Sequence, residues 1–257
     1  MTGRLAIVGL GPGAAEMRTP QADAALAGAD ALVGYAPYLD RVAPRAGQAR
    51  YPSDNGEELA RARHALDLAA GGACVALVSG GDPGVFAMAS AVFEAIETGA
   101  PGLRDLPVEV VPGISAMLAA AARLGAPLGH DFCAISLSDN LKPWDVVLRR
   151  LAAVAQAGLV IALYNPVSAA RPWQLGAALT HLRAILPDET PVAFATAIAR
   201  PDERIAVVPL VHSNAQPADM RTLVLVGSAY TRCIARPRGG VWVYTPRASQ
   251  SRAASGV

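Results

Sequence analysis

Short runs of aliphatic and β-branched residues alternate with longer alanine- and leucine-rich stretches through the first half of the chain. Leu5–Gly9, Ala31–Gly34, Val75–Ser79 and Val108–Val111 are short β-rich runs and are expected to be strands. Between them, Glu57–Ala70 and Val85–Glu97 carry helical spacing, the first with Asn55 and Glu58 placed as a cap and its N3 partner. In TPQAD, Thr19 is expected to cap a helix with Pro20 at N1. The stretch ISAMLAAAARLG is rich in helix formers and closes on Gly125. Strand and helix in alternation predict a mainly parallel sheet covered on both faces.

LGAPLGHD, Leu124–Asp131, lacks periodicity and is rich in turn formers, so a domain boundary is expected there. The domains are then 1–125 and 126–246, with 247–257 (RASQSRAASGV) a disordered tail. The second domain is expected to contain a strand at Phe132–Leu137, a helix from Pro143, a strand LVIALY and a helix from Pro172. Strands near Val192–Thr196, Ile205–Val208, Thr222–Val226 and Val241–Tyr244 follow. Three of these late strands leave little room for helices between them, which predicts a mixed second sheet.

Composition narrows the function classes. The chain has 257 residues, 53% hydrophobic and 17% charged, with a formal net charge of +1. That balance lacks the basic surplus of a phosphate-backbone binder, so no nucleic-acid partner is expected. No uninterrupted apolar stretch reaches membrane-spanning length, and the N-terminal apolar run is too short for a signal peptide; a soluble cytoplasmic protein is expected. Cys74, Cys133 and Cys233 are scattered and odd in number, which supports neither a disulfide framework nor a metal site.

Three glycine-containing loops follow strands. IVGLGPG, Ile7–Gly13, invites a dinucleotide-binding reading, but Pro12 removes an amide donor and biases Gly11 away from helix. The spacing is G-x-G-x-G, and the next strand ends without an acidic residue for a ribose. In SGGDPGVF, two glycines allow close approach to the backbone, and Asp82 stands at a strand's C-terminal end, where open α/β sheets bind ligands. Asp82 followed by Pro83 also reads as the start of the helix from Val85. VPGISA, Val111–Ala116, repeats the design of strand, proline-glycine turn, hydroxyl and helix.

VGLGPG, SGGDPGVF, VPGISA and the strand near ALYNP together resemble the tetrapyrrole methylase family, over about Leu5 to Tyr244. The resemblance implies a two-domain α/β fold of the non-Rossmann, class III methyltransferase type. The first sheet would be mainly parallel and the second mixed, with S-adenosylmethionine folded in a cleft. It implies cofactor contacts at Gly81, Asp82, Val85, Ser115, Ala116, Tyr164 and Asn165, and further ones at Thr196, Ala197 and Thr222. Gly11, Pro12 and Gly13 would border a tetrapyrrole substrate, and homodimers are usual in the family.

VGYAPYLD, ISLSDNLKPWDVVLRRL, IALYNPVSAARPWQL and ATAIARPDERI lie outside the cofactor loops and resemble the ring-contracting branch of corrin synthesis. That branch implies methylation of a polycarboxylate macrocycle coupled to extrusion of a ring carbon. Arg171 and Arg200 are the candidates to pair with substrate carboxylates. Migration of a carbon–carbon bond calls for a positioned acid or base, and Asp139, Asn140 and Lys142 in SDNLKPWD are the candidates. The same residues also read as a helix start. Trp144 and Trp173 are expected to be packing anchors, and His64 and His130 structural. The competing readings are the cobalt-containing precursor of the anaerobic route, another corrin precursor, or RNA (disfavoured by the near-neutral charge) as substrate, and a non-catalytic cofactor- or tetrapyrrole-binding protein.

Overall fold

The computed structural model describes residues 3–237 and 239–248. Apart from its first two positions, the expected tail lies outside them. The chain divides into two compact units, Met1–Ala116 and Met117–Val257. The division falls at the first residue of the helix after VPGIS, between Ala116 and Met117.

The first unit contains β1 (Arg4–Gly9), α1 (Pro20–Ala27), β2 (Ala31–Tyr35), α2 (Ala36–Leu39) and β3 (Ala49–Ser53). It continues with α3 (Glu58–Ala70), β4 (Cys74–Ser79), α4 (Met88–Thr98) and β5 (Val108–Val111). The strands form one sheet in the order β3-β2-β4-β1-β5, and every pairing is parallel. Successive residues of the central strands β1, β2 and β4 feed opposite cores. Leu5, Ile7, Val33, Val75 and Leu77 pack on Ala62, Leu66 and Val92 of α3 and α4. Val8, Leu32, Ala76 and Val78 pack on Ala22 and Leu26 of α1 and on Leu39. Burial on both faces is the physical reason these strands carry unbroken apolar runs.

Local chemistry accounts for the helix ends, with two departures from expectation. The Thr19 hydroxyl accepts from Ala22 N at 3.1 Å with Pro20 at N1, as expected. Asn55 does not cap α3. Its N-cap is Glu57, with no side-chain cap bond. Instead, Glu57 and Glu58 accept from the turn amides of Asp54 (3.2 Å) and Gly56 (3.3 Å). The helix expected from Val85 begins only at Met88, since Phe86 is left-handed (φ 51°) and Ala87 is extended. The edge strand β3 and the short α2 were not anticipated.

The second unit contains α5 (Ala116–Leu124, whose first residue belongs to the first unit), β6 (Gly125–Ala126), β7 (Phe132–Ser136), α6 (Trp144–Gln156) and β8 (Val160–Tyr164). It goes on with α7 (Gln174–Arg183), β9 (Pro191–Thr196), β10 (Arg204–Pro209), β11 (Thr222–Val226), β12 (Arg232–Ala235) and β13 (Val241–Tyr244). Its main sheet has the order β10-β9-β11-β8-β7. It is mixed, as expected: β7–β8 is parallel and the other pairings are antiparallel. Val147, Leu151 and Ala155 form the buried stripe of α6 and meet Leu175, Leu179 and Leu182 of α7 over Ile161 and Leu163. A small sheet, β12-β13-β6, completes the unit.

Candidate functional site

In a parallel sheet all C-terminal strand ends share one edge, and the order β4-β1-β5 places three glycine loops side by side. Gly11 and Gly81 exchange backbone hydrogen bonds of 3.1 and 2.9 Å. Both have positive φ, 67° and 64°, a region glycine enters without steric cost. A Cβ on Gly113 would lie 2.2 Å from Gly81 O, and one on Gly9 would lie 2.7 Å from Gly113 N. The loops therefore touch backbone to backbone. The Arg41 guanidinium braces the first loop, donating through Nη2 to the carbonyls of Leu10 (2.8 Å), Gly11 (2.9 Å) and Gly13 (3.3 Å).

Asp82 holds this arrangement. Its Oδ1 accepts from Gly84 N at 2.8 Å, and its Oδ2 accepts from Gly113 N at 3.0 Å. It is not the start of α4, because the left-handed turn at Phe86 intervenes. Ser115 is buried, beside Gly81, and Val85 is half-buried in the same loop. Of the first unit's candidates, Gly11, Gly13, Gly81, Asp82 and Ser115 are thus brought together, with Pro12 in the first loop and Ala116 opening α5.

The second unit's candidates form three groups. At the end of β8, the Tyr164 hydroxyl accepts from Met117 N at 3.2 Å. Asn165 (φ 51°) donates through Nδ2 to Ser136 Oγ at 2.9 Å, and its carbonyl accepts from Arg171 Nη1 at 3.2 Å. At the ends of β9 and β11, the Thr222 hydroxyl donates to Asp219 Oδ1 (3.0 Å) and accepts from Asp219 N (3.0 Å). Thr196 Oγ1, 2.9 Å away, is then the donor of their shared bond. Thr222 is consumed by this network, so it offers little to a ligand. Ala197 is left-handed (φ 51°), and its carbonyl accepts from Arg200 N. Burial pushes the Asp219 carboxyl up. Hydrogen bonds from Arg221 N, Thr222 and the Arg221 guanidinium outweigh that and hold it below the ordinary carboxylate range.

The third group is SDNLKPWD. Asp139 is clamped by Gln174 Nε2, 3.1 and 3.3 Å from its two oxygens. Gln174 is only 2% exposed, and its Oε1 is buried with no donor. Sequence reasoning missed this residue, whose only signal is its place in the branch motif ARPWQL. Partial burial lowers the Lys142 pKa, the charges of Arg150 and Arg171 add to that, and Asp139 opposes it. Asn140 is exposed and stands apart from the Asp139–Gln174 pair. Pro143 is the N-cap of α6 rather than its first residue, and Pro172 lies ahead of α7, which opens at Gln174. Trp144 and Trp173 meet edge to face at 5.1 Å, a packing pair. His130 Nδ1 accepts from Asp131 N at 2.7 Å.

Residues 4–212 match the family Tetrapyrrole (Corrin/Porphyrin) Methylases. The chain belongs to this family. The methylase is 58% identical over 247 residues to a precorrin-3B C(17)-methyltransferase of Sinorhizobium sp, covering 96% of this chain and 97% of that protein. It is 39% identical to a probable cobalt-factor III C(17)-methyltransferase of Salmonella typhimurium, over 88% of this chain and 93% of the relative. The solved structure of the methyltransferase CobJ is similar with a TM-score of 0.90 at 50% identity, covering 95% of the methylase and all of that chain. Among the described residues, no helix is long and apolar enough to cross a membrane and no cluster of metal-ligating side chains occurs.

Proposed function

We propose that this methylase transfers a methyl group from S-adenosylmethionine to carbon 17 of precorrin-3B, with contraction of the ring to precorrin-4, in cobalamin synthesis. The observation that carries this reading is the 58% identity with the Sinorhizobium enzyme along nearly the full length of both proteins. Cobalt-factor III is the second candidate substrate, favoured less because the relative named for it is 39% identical.

The residues present suit the cofactor. SGGDPGVF and VPGISA contain no lysine or arginine, and their one carboxylate, Asp82, has no cationic partner among the described residues. A sulfonium therefore meets negative rather than positive charge there. In the first unit, Gly81 presents backbone without a side chain, Ser115 supplies a polar group, and Ala116 and Val85 supply small apolar surface; in the second unit, Asn165 and Ala197 are assigned to the cofactor by the family resemblance. When bound, S-adenosylmethionine supplies an already activated methyl group. The protein's task in that step is alignment, for which up to ~7–11 kcal/mol is available from ideal positioning. Ring contraction needs a proton moved at the oxygen on carbon 20, and the Asp139–Lys142 cluster supplies a carboxylate fixed by Gln174 and an amine of lowered pKa. Arg171 and Arg200 are assigned to substrate carboxylates.

Incubation with precorrin-3B and S-adenosylmethionine should add one methyl mass and shorten the chromophore. An unchanged macrocycle, or faster turnover of the cobalt-containing substrate, would refute the assignment. A cytoplasmic homodimer belongs to the same proposal, supported by the family resemblance. A monomer mass by light scattering would refute the dimer.

A further inference from the structure

A pocket lined by several charged and polar side chains lies in the first unit, away from the glycine loops. It has a volume of about 280 Å³ and is lined among others by Arg50, Tyr51, Ser53, Glu57, Arg61 and His64. It sits at the C-terminal end of β3 and beside the first turns of α3, a 13-residue helix whose N-terminus favours negative charge. Arg61 is only 5% exposed. Its guanidinium donates to Ser53 Oγ (2.6 Å), the Asp54 carbonyl (2.5 Å) and the Met88 thioether (3.2 Å). All three acceptors are neutral and the thioether is weak. Arg50 likewise donates to the carbonyls of Val42 (3.0 Å) and Leu39 (2.5 Å).

Buried guanidinium groups ordinarily pair with a carboxylate, and among the described residues neither arginine forms an ion pair. Glu57, the one carboxylate lining the pocket, is exposed and accepts from Asp54 N instead. His64 packs against Tyr51 at a tilt of 50°, with ring centroids 4.8 Å apart. Positive charge, aromatic surface and a helix N-terminus thus converge, and the one lining carboxylate, Glu57, is ion-paired to neither arginine among the described residues. The Arg61 contact to Met88 ties the pocket to the first residue of α4, just beyond the loop of Asp82.

We propose that this pocket binds a carboxylate arm of the tetrapyrrole, with Arg61 as its anchor. The inference rests on the proposed substrate class, and it assigns a substrate-binding residue outside the arginines of the branch motifs. Arg61→Lys keeps the charge but loses the planar fork, so KM for precorrin-3B should rise roughly tenfold with S-adenosylhomocysteine affinity unchanged. Glu57→Gln removes a competing carboxylate and should lower KM by roughly two- to threefold. Glu57 is exposed, so this variant carries the test if Arg61→Lys fails to fold.

The Arg61 side-chain NH signals of the full chain are titrated in parallel with uroporphyrin, a polycarboxylate tetrapyrrole, and with sodium propionate. Shifts with uroporphyrin are expected. KM unchanged in both variants overturns the proposal, as do shifts with propionate alone, which assign the pocket to a free small carboxylate. A wild-type protein that turns over no precorrin-3B, yet binds uroporphyrin more tightly than Arg61→Lys does, would sink the substrate assignment and leave the carboxylate pocket standing.

Discussion

Asp82→Ala removes two acceptors that tie the second glycine loop to itself and to the third. The Gly84 bond is solvent-exposed and the Gly113 bond is partly buried. A net hydrogen bond contributes about 0.5–1.5 kcal/mol, or about 1.5–3 kcal/mol to a charged group; with the exposed bond at the low end, the loss is about 2 kcal/mol. Asp82→Asn keeps one carbonyl oxygen and turns an amide toward the other backbone N–H, so its loss should be about 1 kcal/mol. Urea unfolding of the two variants reads these values directly. Calorimetry with S-adenosylhomocysteine adds the functional half. Because Gly113 and Ser115 share one loop, releasing it should weaken binding by roughly ten- to a hundredfold in Asp82→Ala, with Asp82→Asn between it and wild type. Stability of Asp82→Ala within ~0.5 kcal/mol of wild type would refute the stapling argument. Lowered stability with full cofactor affinity would remove Asp82 and its loop from the cofactor site.

Two glycines test the packing in opposite directions. Gly113→Ala should cost several kcal/mol or abolish folding, since its Cβ would meet Gly81 O at 2.2 Å, whereas Gly176→Ala, in α7 with open space around it, should stabilise by about 0.5–1 kcal/mol. Denaturation midpoints decide both. Lys142 is the chain's sole lysine, so reductive ¹³C-methylation gives one side-chain amine signal. It should titrate below the ordinary 10.5 and move back up in Arg150→Gln and Arg171→Gln. Since the unfolded chain binds the proton more tightly, stability from this group rises with pH between the folded and unfolded pKa values. A titration at or above 10.5 would contradict the burial and charge seen around it.

The central strands of the first sheet, β1, β2 and β4, could be read from the sequence because burial on both faces demands apolar runs, and that demand is local to each segment. The Thr19 cap was legible for the same reason, its acceptor and donor being three residues apart. The glycine loops and branch motifs could be read as contiguous words, and with them the family. What the sequence could not carry is contact between distant words. β3, ARYPS, is an edge strand with no buried position, and β12 is exposed at all four positions, so neither shows a hydrophobic run. The start of α4 was set by a left-handed Phe86, which no propensity favours. Asp82 reads as a helix cap until the sheet order brings Gly113, 31 residues on, within 3.0 Å of its carboxylate. Asp139 reads as a turn residue until α7 presents Gln174, 35 residues on. In each case the side chain's role depends on which donor the fold delivers, and that is fixed by strand order and helix packing rather than by neighbours in the chain.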